Sequence, residues 1–484
     1  MRSALPMLLV SLVLSAAPAA ARLPNIAASE LSTRATELPV GVQARVNRLE
    51  ISDTAETVDL VLERFEVFAP DAEIVVHGPG RERRLPAPRH AYFRGRVARE
   101  PGSHAFLGVQ ADGRVQGIVV RGGETYLVDE APAGPGEKAA RGLRLHRASA
   151  DALEKARGEG FECAAGHALQ APDPLAELGF ALPEEGAGEP RPATAAAATY
   201  TARVAIETDY EFFTRLGSNV NTATAYVGNL LGYVSLRYQA EIGTSLQIQS
   251  LSLWTSSGDP WGQTSTFCGL AEFGRYWNLN KTGVQRTIAH FLSGKSLGGG
   301  VAWIGVLCSG AFTANASCPG LASDAPWGGG YGFTASISGG FDPANPRVMW
   351  DVVAVAHEIG HNFNSPHTHC YNGLGGSSSA VDGCATASGC YGGSVGLPGP
   401  AGAGSGTIMS YCHLVRGSYS DVGWSFGTNH PYGVLPGRVP SRMAAHVAAK
   451  ASANPTCLAA GASPGIFADG FEAGSSGAWG DTTP

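Results

Sequence analysis

A chain of 484 residues predicts two to three domains. Its net charge of −7 offers no basis for nucleic-acid binding. After the N-terminus no stretch reaches ~18 consecutive apolar residues, so no bilayer-spanning helix is expected.

Residues 1–21 read as a secretory signal peptide, with Arg2 as the basic end, residues 5–17 as the apolar run and Ala19-Ala20-Ala21 as the cleavage site. The mature protein is therefore expected outside the cell, or in a periplasm. Charge then divides the remainder, with 47 charged side chains in residues 22–198 against 27 in the longer stretch 199–484. Such a shift implies two units with separate roles. Between them, 183–198 is rich in Pro, Gly, Glu and Ala and reads as a linker where activating cuts would concentrate. The expected organisation is a β-rich unit over 22–182, the linker, a second unit over 199–457 and a flexible tail over 458–484.

In the first unit, alternating runs at 58–68, 104–109 and 115–120 predict strands, with turns at 111–114 and 121–124. The second unit opens with a buried strand from Tyr200. Ala223, Val227, Leu230, Leu231, Val234 and Leu236 give helical spacing over 220–239. Residues 244–254 alternate with one slip of phase at Ser250, which predicts a bulged strand. A helix over 270–278 and strands over 286–292, 298–308 and 331–338 follow, with His290 a packed or edge histidine. Strand–helix–strand order implies an α/β fold with a twisted, mostly parallel sheet and helices on its faces. Residues 440–451 predict a closing helix.

Nine cysteines are present. Eight follow the linker: Cys268, Cys308, Cys318, Cys370, Cys384, Cys390, Cys412 and Cys457. In an exported domain this even set suggests four disulfides, whose pairing spacing alone does not choose. Cys308 and Cys318 are near enough to close a local loop, and Cys457 is placed to pin the end of the closing helix. The ninth, Cys163, is alone in the first unit. Either it occupies the open position of a metal and silences a proenzyme, or it is an unpaired buried thiol.

The densest chemistry is His357-Glu358-Ile359-Gly360-His361-Asn362-Phe363-Asn364-Ser365-Pro366-His367. Histidines four apart lie on one helical face and can share a cation. Glu358 lies one residue round, placed to take a proton from a metal-bound water. Asn345-Pro346 reads as the helix start, and Val352, Val355, Ala356 and Ile359 as its apolar stripe. Asn364 can adopt the left-handed conformation that ends helices and Pro366 prevents continuation, so the chain can turn back and bring His367 to the same ion. His369 competes for that role at a spacing two residues longer; His413 reads as a loop histidine.

This motif resembles that of the metzincin zinc metalloproteases, and its flanks resemble the reprolysin (adamalysin, ADAM-like, M12B) branch. The family pattern has Gly where this chain has Asn364, and Asp where it has Thr368. Gly406-Thr407-Ile408-Met409-Ser410-Tyr411-Cys412 resembles the Met-turn beneath the zinc, with Met409 as a packing floor. Residues 298–308 resemble the edge strand along the cleft, which an extended peptide can join. Residues 92–130 are similar to reprolysin propeptides, which implies a prodomain that assists folding and inhibits the enzyme. The resemblance implies one catalytic Zn2+ on His357, His361 and His367, with Glu358 as general base. It also implies a pocket built from residues between His413 and Val434. A structural Ca2+ near the start of the second unit is left open without ligands. Residues 466–479 resemble short repeats at the C-termini of exported bacterial proteins. The expected function is a secreted zinc metalloendopeptidase made as a proenzyme, acting on protein or peptide substrates. The alternatives are a zinc amidase acting on another amide such as cell-wall peptide, and a silent binding module.

Overall fold

The computed structural model describes residues 23–460 apart from 55, 131–141, 157–161, 164–199, 315–316, 323–325 and 386–389. The expected signal peptide, the expected linker and residues 461–484 of the expected tail lie outside the described residues.

The first unit contributes β1 (Asn25–Ala27), β2 (Gln43–Ile51), β3 (Thr57–Phe65), β4 (Phe68–Gly78), β5 (Arg81–Pro86), β6 (Ala91–Val97), β7 (His104–Val109), β8 (Val115–Arg121), β9 (Glu124–Glu130) and β10 (Leu143–Arg147). All but β4 and β5 form one sheet in the order β1-β2-β10-β9-β8-β7-β6-β3, and β3 pairs back to β2, which closes a barrel. Alternation explains it: Val46, Leu60, Leu62, Phe93, Leu107, Val119 and Val128 turn inward and form its core. Sequence alternation predicts one strand over 58–68. The chain instead breaks after Phe65, because Val67 and Phe68 are consecutive buried residues that face a different core.

The hairpin β4–β5 leaves the barrel and joins the second sheet. That sheet adds β11 (Glu162–Cys163), β12 (Tyr200–Thr208), β13 (Thr244–Trp254), β14 (Ile288–Leu292), β15 (Gly299–Ala302), β16 (Tyr331–Thr334) and β17 (Leu458–Ala460). Its order is β11-β15-β16-β14-β12-β13-β4-β5, with β17 antiparallel to β12. Strands β4, β12, β13, β14 and β16 are parallel, whereas β15 is antiparallel to β16. Gln249 is skipped in the register of β13 against both neighbours, beside the expected phase slip. Leu458–Ala460 is a strand where a tail was expected, because its backbone finds partners on β12.

Among the described residues the four long helices are α1 (Val220–Ile242), α2 (Thr266–Asn280), α3 (Val348–Asn362) and α4 (Arg438–Ala453). No helix among the described residues is long and apolar enough to cross a membrane. Phe65, Val67, Phe68, Tyr92 and Phe106 from the first unit share one apolar core with Tyr226, Leu230, Tyr233 and Ile248. Full burial of such side chains contributes ~1.5–3 kcal/mol each. The approach is close: a Cβ at Gly232 of α1 would lie 2.7 Å from the Phe106 ring. The two units are therefore joined by a shared sheet and a shared core as well as by the linker.

Four disulfides form: Cys268–Cys318, Cys308–Cys457, Cys370–Cys390 and Cys384–Cys412. The expected local loop between Cys308 and Cys318 is thus wrong. The Cys308 N–H donates to the Thr287 carbonyl, and the Thr287 hydroxyl donates to the Cys457 carbonyl, so two segments far apart in sequence meet at one residue. Cys457 does pin the chain beyond α4, to Cys308.

Candidate metal centre

Helix α3 carries the first two histidines. It begins at Val348, two residues after the expected start, because Asn345 is held in a turn by its N–H to the Asp342 carbonyl. Every residue of α3 is buried, so the apolar stripe read from sequence is only one of its packed faces. Polar anchors fix it in place. The Tyr238 hydroxyl donates to the Ala356 carbonyl at 2.8 Å, and Asn362 Nδ2 donates to the Trp303 and Tyr331 carbonyls, both at 2.9 Å. A Cβ at Gly360 would overlap the Met409 sulfur, so the stretch 406–412 approaches the helix at its glycine. The helix stops as its sequence predicts: Asn364 has φ +76° and its N–H donates to the His361 carbonyl. Arg442 Nε donates to the Asn364 carbonyl at 2.7 Å, which fixes the turn that returns His367.

The three imidazoles converge. Ring centroids lie 4.8 Å apart for His357 and His361, 5.2 Å for His357 and His367, and 4.8 Å for His361 and His367. His357 Nδ1 donates to the Ile408 carbonyl at 2.7 Å and His361 Nδ1 to the Ser365 carbonyl at 2.6 Å. A carbonyl only accepts, so Nδ1 carries the proton in both rings and Nε2 keeps its lone pair. Burial lowers the His357 pKa well below the usual range, and that of His361 to about 4, which favours neutral, ligand-ready rings.

Cys163 joins them. One potential ligand atom from each of Cys163, His357, His361 and His367 lies within 4.8 Å of the others, and all four residues are buried. Three imidazoles and a thiol are a donor set that suits zinc. Cys163 reaches this place on β11, which pairs with β15, Cys163 opposite Gly300. Its Sγ lies 3.4 Å from His361 Nε2 and donates to Glu358 Oε2 at 3.4 Å. Glu358 Oε1 is buried without a hydrogen-bond partner among the described residues, and burial raises the carboxyl pKa well above its usual range. Gly300 makes room for it: a Cβ there would lie 2.5 Å from Glu358 Cγ and Oε1.

Other groups at the centre had no recognisable spacing in the sequence. The Tyr411 ring lies 4.2 Å from that of His367, and its hydroxyl donates to the Cys163 carbonyl. Tyr411 sits in the stretch 406–412 that the sequence singles out, so its nearness was legible but not its partner. Thr368, where the family pattern has Asp, donates from its hydroxyl to the Met409 carbonyl at 3.4 Å. His369 stacks beside His367 at 5.4 Å and is not in the four-residue group, while His413 packs against Trp350. Among the described residues, the other close clusters of such side chains are His367-His369-Cys370 and Asp382-Cys384-Cys412, whose cysteines are tied up in disulfides; none gathers acidic residues at the start of the second unit.

No curated protein matches the chain. A solved structure titled "Crystal Structure of metalloproteinase-II from Bacteroides fragilis" is similar at 12% identity with a TM-score of 0.36, over 71% of this chain and 89% of that one. Residues 198–419, just under half of the chain and the part that holds the three histidines, match the family model Reprolysin_5, described as Metallo-peptidase family M12, a match that supports a metalloprotease.

Proposed function

We propose that the chain is an exported zinc metalloendopeptidase of the reprolysin type, made as a proenzyme that Cys163 holds inactive. The convergence of His357, His361 and His367 with Cys163 carries this reading. Zinc, when bound, supplies a Lewis acid and lowers the pKa of a water toward ~7. His357, His361 and His367 would hold it through Nε2, with Ile408 and Ser365 fixing the first two rings from behind. Glu358 takes the proton of the attacking water and passes it to the leaving amine. A cation beside Glu358 opposes the effect of burial and favours the carboxylate, the form a base requires. The side of β15 that β11 occupies is where an extended substrate would add as a strand. While Cys163 lies there, both the substrate's path and the water's place are taken. We assign residues 22–182 the role of inhibitory prodomain and 183–198 that of activation region.

The test is digestion of casein by the intact chain, by the chain cut within 183–198, and by Cys163→Ser, each with and without a chelator. The reading expects a nearly silent intact chain, activity in Cys163→Ser and in the cut chain once its N-terminal piece is removed, and loss of that activity with chelator. Chelator-resistant digestion, or equal activity of intact chain and Cys163→Ser, would contradict it.

A further inference from the structure

Glu241 stands one residue from the C-terminus of α1. A helix C-terminus carries partial negative charge and disfavours a carboxylate, and burial disfavours it further. Yet the Glu241 side chain is only 3% exposed. The compensation comes from residues 425–428. The Phe426 N–H donates to Oε1 at 3.0 Å, the Gly427 N–H to Oε2 at 3.1 Å and the Thr428 N–H to Oε2 at 2.8 Å. The Ser425 hydroxyl donates to Oε2 at 3.1 Å, and Arg237 adds a contact to Oε1 at 3.4 Å. Three successive backbone N–H groups on one anion form a nest. Gly427, at φ +134°, supplies the backbone turn that few other residues adopt.

The segment so gripped leads to the metal centre. The Ser425 carbonyl accepts from the Ile408 N–H at 2.8 Å. The Ile408 carbonyl in turn accepts from His357 Nδ1 at 2.7 Å. Phe426, fully buried, packs edge-on to Tyr238 at 4.9 Å and faces α3 at Gly360. A carboxylate placed against the preference of its own helix end is thus tied, through two hydrogen-bonded steps, to the orientation of one imidazole.

We propose that Glu241 is a positioning residue for the metal centre, anchoring 425–428 so that the Ile408 carbonyl holds His357 in its ligating orientation. This rests on the zinc reading above and goes beyond it by naming the device that aims a ligand. The test uses the full chain, with zinc affinity measured by competition with a chelator and cobalt(II) substitution giving the visible spectrum of the site. Glu241→Gln places an amide NH2 among N–H donors, and should weaken zinc binding ~10-fold and shift the cobalt bands. Ser425→Ala removes one donor without emptying the nest, and should shift affinity the same way by a smaller factor. Asp209→Asn is the comparison: that buried carboxylate accepts from the Phe212 and Gly294 N–H groups away from the site, and its loss should lower the melting temperature while leaving zinc affinity and spectrum unchanged. A folded Glu241→Gln, or Ser425→Ala if the former does not fold, with wild-type affinity and spectrum overturns the proposal. So does an equal affinity loss in Asp209→Asn. A wild-type chain that binds no zinc would instead defeat the zinc reading itself, before any variant is compared.

Discussion

At the scale of single residues, Glu358 and Gly300 make the sharpest predictions. Glu358→Gln keeps the size of the side chain and removes the proposed base, so zinc content should be unchanged while kcat falls by ~10²–10⁴. Metal analysis beside a peptide assay checks both halves. Gly300→Ala places a methyl 2.5 Å from Glu358 Cγ and Oε1, which forces that side chain to move. We expect kcat to fall at least ~10-fold, by the sensitivity of catalysis to small displacements, with zinc retained. Wild-type kcat in Gly300→Ala would show that the carboxylate is not held where it matters. The histidines and Glu358 were legible because one helix and one turn place them, so their relation is local in the chain. Ile408, Glu241 and the Tyr411–Cys163 contact were not, because each arises where segments distant in sequence fold together.

At the scale of elements, the break after α3 is the feature to test. Asn364 sits at φ +76°, and the left-handed region costs a residue other than Gly, Asn or Asp ~1–2 kcal/mol. Asn364→Ala should lower stability by about that amount, and also loses the bond from Arg442 Nη2 to Asn364 Oδ1, whereas Asn364→Gly should relieve strain and lose only that bond. Thermal melts of the two variants check the order. Most elements of the second unit were readable from periodicity, although the helix expected over 270–278 begins at Thr266 and the strands expected over 298–308 and 331–338 end at Ala302 and Thr334. Two failures have the same cause. The strand expected over 58–68 is split because Val67 and Phe68 serve a second core, and the disulfide expected between Cys308 and Cys318 goes elsewhere because Thr287, just before β14, bonds to both Cys308 and Cys457. Neither partner is visible from local pattern.

The whole molecule is two units that a charge boundary separates on paper and a common sheet joins in space. Strand β4 lies along β13, β11 lies along β15, and the Arg203 guanidinium of β12 pairs with Asp71 of β4 at 3.0 Å. A single cut within 183–198 should therefore leave the two pieces together on size exclusion in native buffer; immediate separation would show that the shared core contributes little. Acid should loosen the same junction. His77 on β4 stacks on Trp254 of β13 at 4.1 Å, and burial lowers its pKa from the ordinary 6.5 to about 4. A group with a depressed cationic pKa gives stability that is complete above pH 6.5 and lost as pH falls toward 4. At pH 5 the loss is on the order of 2 kcal/mol for this one imidazole. His77→Phe should show a smaller drop in urea midpoint between pH 7 and pH 5 than the parent chain.

The most direct measurement is zinc-edge X-ray absorption on the purified intact chain, with metal content determined on the same sample. The prediction is one zinc per chain with three histidine nitrogens at ~2.0–2.1 Å and one sulfur at ~2.3 Å. The sulfur should be lost, and a light atom gained, in Cys163→Ser. Zinc well below one per chain, or a bound ion without a histidine shell, would contradict the convergence of His357, His361 and His367 on a single metal.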